Sequence, residues 1–186
     1  MSNPRVYTRS GDLGETGLLF GGRVSKSDPA TEAYGTIDEA VSMMGLGRAL
    51  SRSERVKHVL VRVQRELYLL ASELATAPEN RKVLEERVGT VSASMVEDLE
   101  SLIDDLREDV EFPSAFIVPG ASPASAAIDV ARASCRTAER RIVSLRQAGR
   151  LPNDEVLRYV NRLSDLLFVL ARYEDRDLPL ELMTGE

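Results

Sequence analysis

Tryptophan is absent from this chain, aromatic residues make up 5% of it, and cysteine and histidine occur once each. A lone thiol, Cys135, cannot close a disulfide or supply a thiolate zinc site. It falls within a helical pattern, where a small buried hydrophobe is expected. A lone imidazole, His58, excludes the paired Glu-x-x-His motifs of di-iron bundles, and its setting, Arg55-Val-Lys-His-Val, reads as helix surface. Positive charge is also in deficit. With 24 Lys and Arg against 30 Asp and Glu, the net charge of −6 argues against a nucleic-acid partner. No apolar run reaches membrane length and no secretory leader opens the chain, so a soluble, cytoplasmic protein without membrane association is expected. Neither a Gly-x-x-x-x-Gly-Lys-Ser/Thr loop nor a nucleophile elbow occurs, which excludes P-loop chemistry and offers no catalytic triad.

The 186 residues suit one domain with a substantial core, and 43% apolar with 29% charged residues is ordinary for a globular protein. Helical periodicity dominates. Pro29 opens a stretch to about Leu50 with Tyr34, Ile37, Val41 and Met44 on one face. Ser51-Arg-Ser-Glu54 reads as a capping box before a second helix striped by Val56, Leu60, Val63, Leu67, Leu70 and Leu74. Residues 78 to about 90 read as a connection. Ser94-Met-Val-Glu97 reads as another capping box, leading into Leu99, Leu102, Leu106 and Val110. Phe116-Ile-Val-Pro-Gly120 is a short extended segment, after which Ser122-Pro123 sets an N-cap and a proline at the first helical position. The fourth helix carries Ile128, Ala131, Cys135, Ala138, Ile142 and Leu145 and stops at Gly149. Asn153-Asp154 caps the last, with Val156, Val160, Leu163, Leu167 and Leu170 inside. The expectation is an all-α, up-and-down five-helix bundle in a single domain spanning 1–186. Residues 1–28 form an irregular glycine-rich loop, 29–175 the bundle and 176–186 a tail.

Two features exceed what a bundle needs. The first is Tyr7-Thr-Arg-Ser-Gly-Asp-Leu-Gly-Glu-Thr-Gly17 followed by Lys26. Its glycines let backbone amides converge on an anion, and hydroxyls and cations add donors. A floppy polar terminus is the competing reading. The second is a basic helix face: Arg132 and Arg136 lie one turn apart, with Glu139, Arg140 and Arg141 beyond. Their planar forks suit phosphate or carboxylate, while a solvated face with an Arg136–Glu139 pair is the plainer alternative. On the last helix, Asn161 sits one turn from Asp165, with Arg162 and Ser164 between. Its amide is placed to read a base or sugar, or to cap a neighbour.

Six segments carry a resemblance when read together. They are the Tyr7–Thr16 loop, Val24-Ser-Lys-x-Asp28, Glu32-Ala-Tyr-Gly-Thr-Ile-Asp-Glu39, Phe116-Ile-Val-Pro-Gly120, Val130-Ala-Arg-x-x-Cys-Arg-x-Ala-Glu-Arg-Arg141 and Tyr159-Val-Asn-Arg-Leu-Ser-Asp-Leu-Leu-Phe168. In this order and spacing the chain resembles, over nearly its whole length, the PduO-type ATP:cob(I)alamin adenosyltransferases. The resemblance implies a homotrimer with active sites between subunits. Such an enzyme transfers the 5′-deoxyadenosyl group of ATP to the cobalt of reduced cobalamin and releases triphosphate. It implies that Thr8, Arg9, Ser10, Gly11, Thr16, Gly17 and Lys26 wrap the ATP phosphates. Arg136, Thr137, Glu139, Arg140 and Asn161 then complete the nucleotide site. Arg132 would pair with Asp38 of a neighbouring subunit, and Phe116 would lie against the lower face of the corrin. Arg132, Arg136, Asp38 and Phe116 are thus the residues expected at the reaction centre, with Phe116, Asp38 and Arg132 on the cobalamin side.

That chemistry accounts for the missing nucleophile. Cobalt(I) itself attacks the ribose carbon, so the protein has to align ATP and stabilise charge on the departing triphosphate, with Mg²⁺ carried on phosphate oxygens and no metal-ligating side chains expected. An apolar lower face would exclude an axial ligand and ease reduction of cobalt(II). The histidine motif Asp-x-His-x-x-Gly that holds a resident cobalamin is missing, so cobalamin is expected as substrate. A reductase and an adenosylcobalamin-dependent mutase are further partners in keeping with this reading. Three positions depart from the family pattern: Leu13 stands where lysine is common, Asp129 where histidine is common, and Thr137 where a second arginine often follows Arg136. A non-catalytic protein that binds ATP or delivers adenosylcobalamin is the alternative from another class, and a purely structural bundle a third.

Overall fold

The computed structural model describes residues 7–183; the expectations placed on residues 1–6 and 184–186 lie outside the described residues. A short antiparallel hairpin, β1 (Glu15–Gly17) and β2 (Arg23–Ser25), precedes helices α1 (Pro29–Leu50), α2 (Glu54–Leu74), α3 (Arg81–Arg87), α4 (Ala93–Arg107), α5 (Pro123–Gln147) and α6 (Asp154–Glu174). The all-α bundle is as expected, with six helices among the described residues instead of five. The extra one is α3, which with a 3₁₀ turn at Pro78–Asn80 occupies the stretch read as a connection. No described helix is long and apolar enough to cross a membrane.

Every stripe residue named above for α2, α5 and α6 is buried, as are Ile37 and Met44 of α1 and Leu99 and Leu106 of α4. Helix α1 runs antiparallel to α5. Gly47 near its end meets Ala124 and Ile128, and Glu32 and Thr36 near its start meet Arg141. Small residues make this approach close. A Cβ on Gly47 would stand 2.9 Å from Ile128 Cγ1, and Ala33, Ala40, Ala131 and Ala138 are fully buried. Helix α6 packs between α5 and α4, and α4 is pinned to α2 by Arg62–Asp98 at 2.7 Å and by Arg55 with Asp105 and Asp109.

Two caps differ from the serines expected. Ser53, not Ser51, caps α2 through Val56 N–H, because Ser51 closes α1 and donates to Glu174 at 2.6 Å. Helix α4 starts after Ser92 without a side-chain cap bond, while Ser94 lies in its first turn, 2.9 Å from the Ser92 hydroxyl. The caps at Ser122-Pro123 and Asn153 are as read from the sequence, and Gly149 takes φ +66 just beyond α5.

Glu73 at the end of α2 holds several pieces at one end of the bundle. Its side chain is fully buried, accepts from Val91 N–H and from Asn153 Nδ2 at 3.2 Å, and approaches Arg81 at 3.4 Å. The α3 entry, the α4 approach and the α6 cap thus converge on one carboxylate. Glu73→Ala strands these donors in the interior and is expected to cost about 3 kcal/mol. Calorimetry should show this as a melting temperature lower by about 6–12 °C, with Glu73→Gln between the two because it keeps one acceptor.

Candidate functional site

The glycine-rich segment is folded back on itself rather than left loose. Thr16 pairs with Val24, and the connecting turn uses positive φ at three successive residues, Phe20 (63°), Gly21 (109°) and Gly22 (90°). A left-handed phenylalanine is strained, and the bundle holds it there. Leu19 N–H donates to Ala75 C=O at 2.8 Å, and Asn80 Nδ2 donates to Phe20 C=O at 3.3 Å. Lys26 N–H donates to Gly14 C=O at 2.8 Å, and the Lys26 side chain lies across Gly11, where a Cβ would stand 3.1 Å from Nζ. Glycine at position 11 therefore lets the ammonium fold over the loop. The Thr8 and Ser10 hydroxyls are 2.7 Å apart, Arg23 donates to Ser10 C=O at 2.6 Å, and Arg9 (φ 62°) has its guanidinium 5.7 Å from the Tyr7 ring centre. Leu13 is almost wholly exposed at the tip.

The loop is anchored behind by Asp28. Its carboxylate caps α1 through Ala30 N–H at 2.8 Å and takes Arg150 at 2.9 and 3.1 Å. Partial burial pushes this carboxyl up, but the Ala30 N–H and the Arg150 guanidinium outweigh it and hold it below its ordinary range. A cavity of about 510 Å³ under the hairpin includes Leu18, Leu74, Leu145 and the fully engaged Glu73; its chemistry is that of a seat for the hairpin.

The basic face of α5 is sorted by partner. Arg141 is structural, donating to Glu32 C=O at 2.7 Å and to the Thr36 hydroxyl. Arg140 donates to Thr137 Oγ1 at 2.9 Å, and Asn161 Nδ2 donates to Glu139 Oε1 at 2.9 Å. Glu139 is thus turned toward Asn161, and the Arg136–Glu139 pair of the plainer reading does not form. Arg136 is exposed with no ion pair among the described residues. Arg132 Nε donates to Asp129 Oδ1 at 3.0 Å.

Arg132 and Arg136 share a cavity of about 650 Å³ between α4, α5 and α6. Phe112 and Phe168 supply an apolar wall, their ring centres 5.9 Å apart, and Arg107, Arg162, Asp104 and Asp165 supply polar groups. None of Phe112, Phe168 and Arg107 was singled out from the sequence. Phe168 closes the Tyr159–Phe168 segment, and Phe112 beside Pro113 was the available signal for the second. Asp38 is exposed on α1, and Phe116 is 86% exposed ahead of α5, where Phe116 C=O accepts from Met183 N–H at 2.8 Å and Ile117 pairs with Leu182. No residue of the glycine-rich loop, nor Asp38, Phe116 or Asn161, lines the cavity that holds Arg132 and Arg136. Cys135 and Tyr159 lie in the core, and burial pushes the Cys135 thiol up to about 12. Neither offers a nucleophile.

Comparison with known proteins identifies the family. The family model for cobalamin adenosyltransferase matches residues 6–174, and the chain belongs to that family. A corrinoid adenosyltransferase of Citrobacter freundii is 39% identical over 171 residues, 92% of this chain and 95% of the relative. The human corrinoid adenosyltransferase MMAB is 36% identical over 172 residues, 91% of this chain and 68% of that one. The chain spans half the length of the PduO protein of Citrobacter freundii, to which it is 38% identical. Among solved structures, a PduO-type ATP:corrinoid adenosyltransferase from Lactobacillus reuteri superposes with a TM-score of 0.87 at 31% identity over 98% of both chains. It is a phenylalanine-to-histidine variant complexed with cobalamin and ATP.

The depressed Asp28 carboxyl sets a pH signature for the loop anchor. Its stabilisation is complete above the unfolded-state range and is lost as pH falls through the lower folded value. Asp28→Asn keeps an oxygen for the Ala30 cap but loses the charge facing Arg150 and the helix N-terminus, and should therefore lower stability at neutral pH by about 0.5–1 kcal/mol. In paired melts the two proteins should converge on acidification below about pH 4. A gap that persists undiminished to pH 3 would contradict the assignment.

Proposed function

We propose that this chain transfers the 5′-deoxyadenosyl group of ATP to the cobalt of cob(I)alamin, forming adenosylcobalamin and releasing triphosphate. The observation that carries this is the pairing of a folded, lysine-capped glycine loop with a cavity where two arginines face an aromatic wall. The first suits a polyphosphate and the second a large, mostly apolar ring system edged with polar groups.

In this reading the loop residues Thr8, Arg9, Ser10, Gly11, Thr16, Gly17 and Lys26 hold the phosphates. Arg136, Thr137, Glu139, Arg140 and Asn161 hold the rest of the nucleotide. The hydroxyls and amides of the loop suit phosphate oxygens, and among the described residues no cluster of three acidic, histidine or cysteine side chains is placed to hold a metal ion. Mg²⁺ fits as an ion carried by ATP, where it neutralises charge on the triphosphate. Lys26 and Arg136 stabilise the leaving group as charge develops, and the loop fixes the approach line to the ribose carbon. No side chain takes up a proton in this step, because the attacking centre is the corrinoid substrate and the leaving group is an already ionised phosphate chain. Phe116, projecting into solvent in the single chain, is the residue that faces the corrin and excludes an axial ligand.

The two halves do not share a cavity within one chain, which supports a homotrimer in which the loop of one subunit meets α5 and α6 of the next and Asp38 meets Arg132. One domain spanning the chain, a cytoplasmic location, a supplying reductase and a mutase that takes the product complete the reading.

Mixing the protein with ATP, Mg²⁺ and chemically reduced cobalamin and following the corrin spectrum tests the activity. Adenosylcobalamin no faster than in a protein-free control would leave only a binding or delivery role. Arg136→Ala should lower kcat/KM for ATP by about tenfold or more, as expected for losing a charged contact to the phosphates and the departing triphosphate, while cobalamin KM stays close to normal. Phe116→Ala should bind ATP normally yet fail to yield the four-coordinate cobalt(II) spectrum; an unchanged spectrum would remove Phe116 from that role.

A further inference from the structure

Arg132 does not reach its cavity unaided. Its Nε is held at 3.0 Å by Oδ1 of Asp129, one turn earlier on α5, and the other carboxylate oxygen, Oδ2, accepts from Nη2 of Arg172 on α6. Asp129 and Arg172 are 5% and 3% exposed, so this carboxylate is buried between two guanidinium groups. Arg172 is fixed in turn, with its guanidinium 5.5 Å from the centre of the Phe168 ring, and Phe168 belongs to the aromatic wall of the same cavity.

The geometry points to Asp129 as the positioning residue for Arg132. An arginine side chain has several soft torsions and loses conformational freedom when a ligand immobilises it. Here the internal nitrogen is already spent on Asp129, while the two terminal nitrogens make no hydrogen bond to any described residue. The fork is aimed and left open, the state in which a planar guanidinium can take a carboxylate or amide oxygen with both arms. The carboxylate is suited to this because it serves two cations at once, one per oxygen. A neutral imidazole, with a single acceptor nitrogen, serves only one. In this chain the corrinoid half-site therefore owes its aim to a residue outside the cavity lining, locked between α5 and α6. The inference rests on the reading of Arg132 as a site residue and adds the group that presets it.

Asp129→Leu alone leaves Arg172 as an unpaired buried cation and can by itself prevent folding, so the informative comparison is made in a background that removes this charge. Arg172→Met keeps the Asp129–Arg132 bond; Asp129→Leu/Arg172→Met loses it with no orphaned cation, whereas asparagine would keep an oxygen able to accept from Arg132 Nε. Melting temperature and the KM values for cobalamin and for ATP are measured for both, and for Arg132→Ala. Arg172→Met should melt lower than the natural protein while keeping its cobalamin KM within about twofold. The double variant should raise cobalamin KM a further fivefold to tenfold, about the cost of immobilising one long side chain, with ATP KM unchanged. Added to Arg132→Ala, the pair of substitutions should raise cobalamin KM no further than Arg172→Met does. If Arg132→Ala raises cobalamin KM but the double variant matches Arg172→Met, or if the KM for ATP rises in step, the positioning role falls and the site reading stands. If Arg132→Ala itself leaves the cobalamin KM unchanged, the reading of Arg132 falls, and the role of Asp129 with it.

Discussion

The close packing of α1 against α5 is the constraint on which the remaining arrangement depends. Alanine and glycine line the shared face, and Gly47 leaves Ile128 no room for even a methyl group between the helices. Dispersion and apolar burial reward such contact only if both helices stay straight and in register. Arg141 fixes the far end of that register through Glu32 and Thr36, and Asp28 with Arg150 fixes the segment just before α1. A helix so committed on one side can present Arg132, Arg136 and Arg140 from the others at settled positions. The same rigidity seats the glycine-rich loop, since Asp28 is both the cap of α1 and the latch of the loop. Core packing and site geometry are thus set by one interface.

The bundle was legible because helical periodicity is a long-range signal: each stripe repeats over about three to five turns, and single misplacements do not erase it. Local signals were less secure where tertiary partners compete. Ser51 and Ser53 are equally good caps by type, and the choice is made by Glu174, which takes the Ser51 hydroxyl and the Arg52 amide. Helix α3 has one fully buried residue, Leu84, so it has almost no stripe to read; Arg81, paired with the buried Glu73, secures its start. The hairpin was unreadable for a related reason. Its strands are three residues long, and its turn places a phenylalanine at positive φ, which only contacts with Ala75 and Asn80 sustain.

The site was legible in its charged members and illegible in what aims them. Residue type and one-turn spacing marked Arg132 and Arg136, and glycine content marked the loop. That Glu139 would turn to Asn161, leaving Arg136 uncommitted, depends on the crossing of α5 and α6 and has no local signature. Arg172 is the clearest case. By sequence it is one more polar residue near a helix end; in the fold it is 3% exposed, shares a carboxylate with a site arginine and stacks on the aromatic wall.

A division of labour follows from the burial pattern. The lone thiol, Cys135, and the tyrosine beside it, Tyr159, are sealed in the core, where burial is the first cause that pushes both upward and keeps them protonated. The groups left at the candidate site are cations, hydroxyls, amides, carboxylates such as Asp38, Asp104, Asp165 and Glu139, and the projecting Phe116 ring. Such a set can bind, align and neutralise, and it holds no thiol or imidazole placed to attack. A reaction run on it must bring its own nucleophile and a leaving group that needs no proton. A reduced metal centre meeting a triphosphate ester satisfies both conditions, so a donor-rich surface with no nucleophile of its own suits that reaction.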